Sequence, residues 1–309
     1  MNKNNKLYCL FSNDVETTSI WHNSLRDDTG KKVFEEGMPI LLDLYEKYNV
    51  KSTFFFTGYI AKLYPSIVKR ILSHGHEVAS HGMSHTRVNG FDVMPLEKQI
   101  KHLKESKAIL EDLSGQEVIS FRAPALRVNE DTHKALEESE YKIDSSVASQ
   151  RFDMFMSFGG LKKLNWLTAP RLPYRTSNGS LFKKGNSSII EVPLSASLLP
   201  YLGTTMRVFP YITDFQRRLL NLESKLNGKP IVFDIHPNEF IDESNEEREF
   251  EKRASNPVAS FLQDTLRSKL KTKNLGMGAA KIYEREIKYF AEKNKNFATI
   301  KDYCNSLDI

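Results

Sequence analysis

His81 and His85 stand four residues apart, directly after the strand-like run Glu77-Val78-Ala79. On a helical turn that spacing puts two side chains on one face. Two neutral imidazoles so placed can grip one borderline metal such as zinc, with a third ligand arriving from another segment. Two ordinary surface histidines are the plainer alternative. Further polar residues stand where other apolar runs end: Asp14 and Glu16 after Leu7 to Ser12, Arg122 after Val118 to Phe121, Asp144 after Tyr141 to Ile143, and His236 after Ile231 to Ile235. Two histidines and a carboxylate form a catalytic zinc ligand set that leaves room for water and lowers its pKa. A second carboxylate can take the proton from that water, and a separate histidine can protonate a leaving amine. An arginine can hold the basic carboxylate through paired hydrogen bonds. The set contains what metal-assisted amide hydrolysis requires.

The elements that must position these groups follow from hydrophobic period. Ser52 to Thr57 is β-branched and aromatic and reads as a buried strand. Glu35 to Tyr48 repeats its apolar residues at helical spacing, and Tyr64 to Ser73 is a second helix with Pro65 in its first turn. With Leu7 to Ser12 and His76 to Ser80 as strands, the first 80 residues read as a βαβαβ unit and imply a parallel sheet. The carboxyl ends of parallel strands share one rim, where α/β folds usually carry function. Helices are expected over Pro95 to Leu113, Glu130 to Glu138 with Asn129 as cap, Tyr211 to Leu226, Val258 to Leu270 and Lys281 to Lys293. Phe215, Leu219, Leu222 and Leu226 fall on one face of the Tyr211 helix. Ser244 to Glu247 fits a capping box opening a charged helix, and Asn296 to Ile300 reads as a last strand. From Gln150 to Asn186 the period is lost, although Phe152, Phe155, Phe158, Gly159, Gly160, Trp166 and Tyr174 lie there. A substrate-side lobe and a packed irregular insertion are both open readings.

The chain has 309 residues, 40% hydrophobic and 27% charged, with a net charge of +5. This is globular composition, and no motif points to nucleic acid. The densest basic cluster, Arg267, Lys269, Lys271 and Lys273, reads as a solvated helix face in preference to a site for anionic phosphate or a membrane surface. No apolar stretch approaches membrane-spanning length, and Leu7 to Phe11 is too short for a signal-peptide core. Cys9 and Cys304, at opposite ends of the chain, form no disulfide framework. A cytoplasmic setting is expected.

The ordered set Asp14-Val15-Glu16, His81-Gly82-Met83-Ser84-His85, Phe121-Arg122-Ala123-Pro124, Tyr141 to Ser146 and Ile235-His236-Pro237 resembles the polysaccharide deacetylase (NodB-homology, carbohydrate esterase family 4) superfamily. The resemblance covers roughly residues 7–147 and resumes at 188–193, at 230–237 and near the C-terminus. It implies a distorted (β/α)7-type barrel and a divalent metal, with zinc the expected ion. It implies that Glu16, His81 and His85 hold the metal, Asp14 is the general base, Arg122 orients Asp14, and His236 is the general acid. Backbone N–H groups near Ala125 are expected at the oxyanion position. Asp144 belongs to the catalytic set if it steers His236, or else caps a turn. The acids flank Val15, whereas many members carry adjacent aspartates, so the chain resembles an Asp-x-Glu branch. One domain over 1–309 is expected, with insertions at about 150–187 and 238–280. The implied reaction removes an N-acyl group from an amino sugar in a polysaccharide or in a nucleotide- or lipid-linked precursor. A sugar deformylase, a non-sugar C–N amide hydrolase and an inactive glycan-binding module are the alternatives. Oligomeric state is not indicated.

Overall fold

Strand β1 (Tyr8–Val15) carries the first apolar run into the centre of the sheet, and β2 (Ser52–Phe56) lies beside it with all five residues buried. Such a strand has helices on one face and barrel interior on the other. The structure is a computed structural model and describes residues 6–86, 90–150, 165–197, 199–248 and 267–307. Strands β3 (Glu77–Ser80), β4 (Ser120–Phe121), β5 (Ile143–Asp144), the hairpin β6 (Tyr174–Ser177) and β7 (Ser180–Lys184), then β8 (Ile190–Glu191), β9 (Ile231–Ile235) and β10 (Asn296–Phe297) follow. The order β9–β1–β2–β3–β4–β5–β8 is parallel throughout. The sheet curls into the expected distorted barrel. Its seam is crossed by the chain after β8, where the Ser195 N–H donates to Val232 O (3.1 Å) and Leu202 bridges Asp234.

Register does the positioning. Asn13 pairs with Ile235, Val15 with Phe56, Phe56 with Ser80, Ser80 with Phe121, and Phe121 with Asp144. The strands therefore end level. The next residue on each of β1, β3, β4 and β9 is Glu16, His81, Arg122 or His236, and all four arrive at one rim.

Helices cover the outside as the period predicts: α1 (Met38–Lys47, entered through a π turn at Val33–Gly37), α2 (Pro65–Ser73), α3 (Leu96–Ser114) and α4 (Glu130–Glu138). Asn129 caps α4 in a capping box with Thr132. Later come α5 (Gly203–Val208), α6 (Pro210–Asn227) and α7 (Met277–Glu292). An apolar stripe normally marks a helix's core face. On α6 it does not: Phe215, Leu219, Leu222 and Leu226 face out, and Gln216, Arg217, Asn221 and Ser224 are buried. Arg217 pairs with Glu286 (2.7 Å), Gln216 Nε2 donates to Leu199 O (2.6 Å), and Lys295 Nζ donates to Ser224 Oγ (2.7 Å).

Other details differ from expectation. Ser244 opens a turn, not a helix, and a helix at Ile300–Asn305 follows the short β10. Phe152, Phe155, Phe158, Gly159 and Gly160 lie outside the described residues, as does the 258–266 part of the helix expected at Val258 to Leu270. Arg267–Lys271 is helical. In the rest of the aperiodic segment Trp166 is fully buried and Tyr174 OH donates to Leu181 O (2.6 Å), so those aromatics are core.

Candidate active site

His81 leaves β3 at its last hydrogen bond, and Gly82 follows at φ 68°, a left-handed turn that favours glycine. Residues 81–86 are therefore not helical, contrary to the helical turn expected from the spacing. The two rings are brought together by a turn instead, with centroids 6.0 Å apart and planes at 25°. The Arg122 carbonyl lies 2.8 Å from His81 Nδ1. A carbonyl only accepts, so Nδ1 carries the proton and Nε2 presents its lone pair. Burial pushes the His81 pKa down to about 4, which keeps the ring neutral.

That Nε2 atom is buried without a hydrogen-bond partner, and so is Glu16 Oε2. Buried polar atoms are almost always paired. One ligand atom each from Glu16, His81 and His85 lies within 4.8 Å of the others. Two imidazole nitrogens and a carboxylate oxygen at that separation fit a divalent cation. The His81 Nδ1 bond to a carbonyl is the outer contact that usually orients a metal-bound imidazole.

Beside this trio lies Asp14. Arg122 is fully buried, stacks over the Phe55 ring (4.3 Å), and spends its donors in five directions. Nη1 donates to Asp14 Oδ1 (3.0 Å), Asp234 Oδ1 (2.7 Å) and Ser12 Oγ (2.8 Å). Nε donates to Ser145 O and Nη2 to Ser145 Oγ, both at 3.0 Å. The guanidinium thus bridges two carboxylates with unlike fates. Burial opposes ionisation of Asp14, but His81, Arg122 and His236 outweigh it and hold its carboxyl below the ordinary value. Burial and then the Asp14 charge push Asp234 up to about 7. One arginine keeps one base charged.

His236 closes the group. Its Nε2 is 3.9 Å from both Asp14 Oδ2 and Glu16 Oε1. Its Nδ1 is 3.4 Å from Glu239 Oε1, and Glu239 also pairs with the buried Arg207. Burial disfavours a charged ring, yet the Glu239 bond and the charges of Asp234, Asp14 and Glu16 raise His236 to about 10. Burial likewise opposes Glu239 ionisation, but Arg207 and His236 bring it to about 2. A Cβ at position 203 would overlap the Glu239 carboxylate, so Gly203 is what lets α5 approach. A cavity of about 340 Å³ opens beside Glu16 and His85, with Leu25, Asp27, Tyr59 and Thr86 on its walls.

Six expected residues, Asp14, Glu16, His81, His85, Arg122 and His236, meet at this rim. The seventh, Asp144, bonds elsewhere. It accepts from Ser146 Oγ (2.6 Å) and lies opposite Glu191 in the β5–β8 register. Near Ala125 the chain turns at φ 52°, and the Leu126 and Arg127 N–H groups are committed to Ala123 O (2.8 Å) and Pro124 O (3.2 Å). His22, in the loop after β1, bonds Glu246 (3.0 Å). Asp234, Glu239 and Arg207 were not singled out from the sequence. Asp234 had a signal: it lies two residues before His236, on the same side of the pleat.

Residues 24–143 match the family model described as polysaccharide deacetylase. The chain is 28% identical over 146 residues to the peptidoglycan deacetylase of Helicobacter pylori, covering 45% of this chain and 49% of that protein. It is 31% identical over 104 residues to a peptidoglycan-N-acetylglucosamine deacetylase of Bacillus cereus, covering 34% and 47%. The matches thus span about half the length of these relatives. The fold matches a protein from Mycobacterium smegmatis assigned as a polysaccharide deacetylase, with a TM-score of 0.64 and 17% identity over 99% of this chain and 92% of that one. The family match covers the segment that carries His81, His85 and Arg122, and the fold is shared over nearly the whole chain, so the chain is similar to the polysaccharide deacetylase (NodB-homology) superfamily in both sequence and fold.

Proposed function

We propose that the chain is a metal-dependent hydrolase that removes the N-acetyl group from an amino sugar of a glycan, as one catalytic unit over its length. The observation that carries this is the pair of orphaned buried atoms, Glu16 Oε2 and His81 Nε2, facing His85 beside an arginine-held carboxylate. Relatives named for deacetylating peptidoglycan support the amino-sugar acetamide as substrate.

Glu16, His81 and His85 would hold the cation, and their N₂O donor set suits zinc. When bound, the ion polarises the acyl carbonyl and acidifies the attacking water. Asp14, kept ionised and aimed by Arg122, accepts the proton of that water. The water oxygen bonds to the acyl carbon. As the carbon–nitrogen bond breaks, His236 delivers its proton to the amine, so acetate and a free amino sugar leave. Glu239 keeps the His236 ring turned with Nε2 towards the reacting atoms. The cavity walled by Leu25, Asp27 and Tyr59 would receive the sugar. The buried, unpaired thiols Cys9 and Cys304 fit a reducing compartment, and a cytoplasmic enzyme would take a nucleotide- or lipid-linked precursor as its substrate.

The test is acetate release from N-acetylated amino-sugar oligomers, with the bound metal measured on the same sample. D14N and H236N should each lower turnover by about 10²–10⁴-fold with folding intact. Turnover that survives chelation, or an unimpaired D14N enzyme, would overturn the reading. Formate in place of acetate would make the chain a deformylase, and metal binding without turnover a glycan-binding module.

A further inference from the structure

The outward face of α6 is the wrong polarity for water. Ile212, Phe215, Leu219, Leu222 and Leu226 alternate three and four residues apart, which keeps them on one stripe. They are 49, 64, 43, 53 and 78% exposed, and Tyr211 beside them is 87% exposed. Phe209, just before the helix, is 41% exposed. Scattered exposed apolar residues are ordinary, but a contiguous stripe of this length marks a contact surface.

The charges around the stripe say what covers it. Its exposed ions are Arg218 and Lys225. The two acids of the helix sit at its flanks and are already engaged, Asp214 with Arg217 (3.0 Å) and Glu223 with Arg171 (2.6 Å) and Lys229 (3.0 Å). At the start of the stripe, Lys273 Nζ contacts Val208 O (3.5 Å), so the basic turn that closes the Arg267–Lys271 helix lies against Phe209's neighbour. A second copy pairing along the stripe would set Arg218 and Lys225 against each other in the antiparallel arrangement. In the parallel one it would need Glu223, which two cations already hold. An anionic surface has neither difficulty.

We infer that α6 is an interfacial helix that lays its Tyr211-to-Leu226 stripe into the headgroup region of an anionic phospholipid bilayer, with Arg218, Lys225 and Lys273 against lipid phosphates. An amphipathic helix with cationic rims lies in the plane of such a surface, held by apolar insertion and charge attraction together. No described helix is long and apolar enough to cross a membrane, which agrees with a surface mode.

The experiment is flotation of the full chain with vesicles of phosphatidylcholine alone and of phosphatidylcholine with phosphatidylglycerol. Binding to the anionic vesicles should exceed that to the neutral ones by about tenfold and weaken as salt is raised. F215E/L222E should abolish binding to both. R218E/K225E should bring anionic binding down to the neutral level. Both pairs are exposed and bond none of the residues at the rim, so circular dichroism and turnover on a soluble substrate should be unchanged. No flotation of the wild-type chain, or equal and salt-insensitive binding to both vesicles, overturns the inference. So does a concentration-dependent dimer that F215E/L222E dissolves without any effect on vesicles.

Discussion

Two buried carboxyl pairs sit near strand ends of the same sheet, one on β1 and β9 and one on β5 and β8, and they behave in opposite ways. Asp14 and Asp234 share the Arg122 guanidinium at 3.0 and 2.7 Å. Asp144 and Glu191 are register partners on β5 and β8 and are met by Ser146 Oγ and the Val147 N–H, with no cation among the described residues bonded to either. In the first pair one carboxyl is held below its ordinary pKa, and in the second burial raises both, Glu191 further still through the Asp144 charge. Burial is the same in each. The difference is a cation within bonding distance, which supplies what desolvation removes. A carboxylate that stays charged can accept a proton, and a pair in which burial favours the protonated form serves as a strut. The strut lies under the Arg122-Ala123 turn, because the Ala123 N–H donates to the same Ser146 Oγ (2.9 Å).

Removing the cation should erase the contrast and have the largest effect. R122A leaves Asp14 and Asp234 buried without it. Unfolding free energy should fall by about 3–5 kcal/mol, and turnover by at least about 10²-fold. R122K should not restore turnover, since an ammonium cannot reach Ser145 and both carboxylates in one plane. Denaturant titration and acetate release check both. An R122A protein as stable as the wild type would mean that the guanidinium does not decide the pair.

A middle effect is expected at another buried carboxylate, Glu239, which has its own cation in Arg207. E239Q removes the charge behind His236. The acid must be protonated to work, so the basic limb of the pH–rate profile should move to lower pH by about one unit. The same group bears on stability. His236 is raised from 6.5 to about 10, so in the metal-free protein its contribution is complete below about pH 6.5 and lost as pH climbs through about 10. Thermal melts across that window should show a shallower decline for E239Q. An unmoved basic limb would detach Glu239 from the acid.

The smallest effect should come from the strut. Because both of its carboxyls are raised, wild-type stability drains as pH rises above the ordinary carboxyl range of about 4. A glutamine at 191 can still accept from Val147 and needs no proton to stay neutral. E191Q should therefore be flatter between pH 5 and pH 8, gaining about 1 kcal/mol at the upper end, with turnover nearly unchanged. If E191Q instead lost turnover as D14N is expected to, the two pairs would not be different in kind.

Individual residues show which parts were legible. Asp14, Glu16, Arg122 and His236 could be found because apolar runs end where strands end, and level strands deliver their next residues to one rim. His81 and His85 were found for a different reason from the one that unites them: their spacing suggested a helix, and a left-handed turn at Gly82 does the work. Asp144 closes a short apolar run as Asp14 does, and its residue type leaves a role in steering His236 and a turn cap equally open. Nothing local reveals that the arginine 108 residues from Asp14 in sequence reaches that carboxylate and not Asp144's own pair.

The sequence by itself determined the central parallel strands, where they end, and the inventory of acids, bases and imidazoles, because period and side-chain chemistry are local properties. Tertiary structure alone decided which carboxylates are charged, that Glu239 and Arg207 stand behind His236, and that the apolar face of α6 looks outward. Each of these depends on which distant groups share a buried volume, and Coulomb energy and desolvation are functions of distance in space.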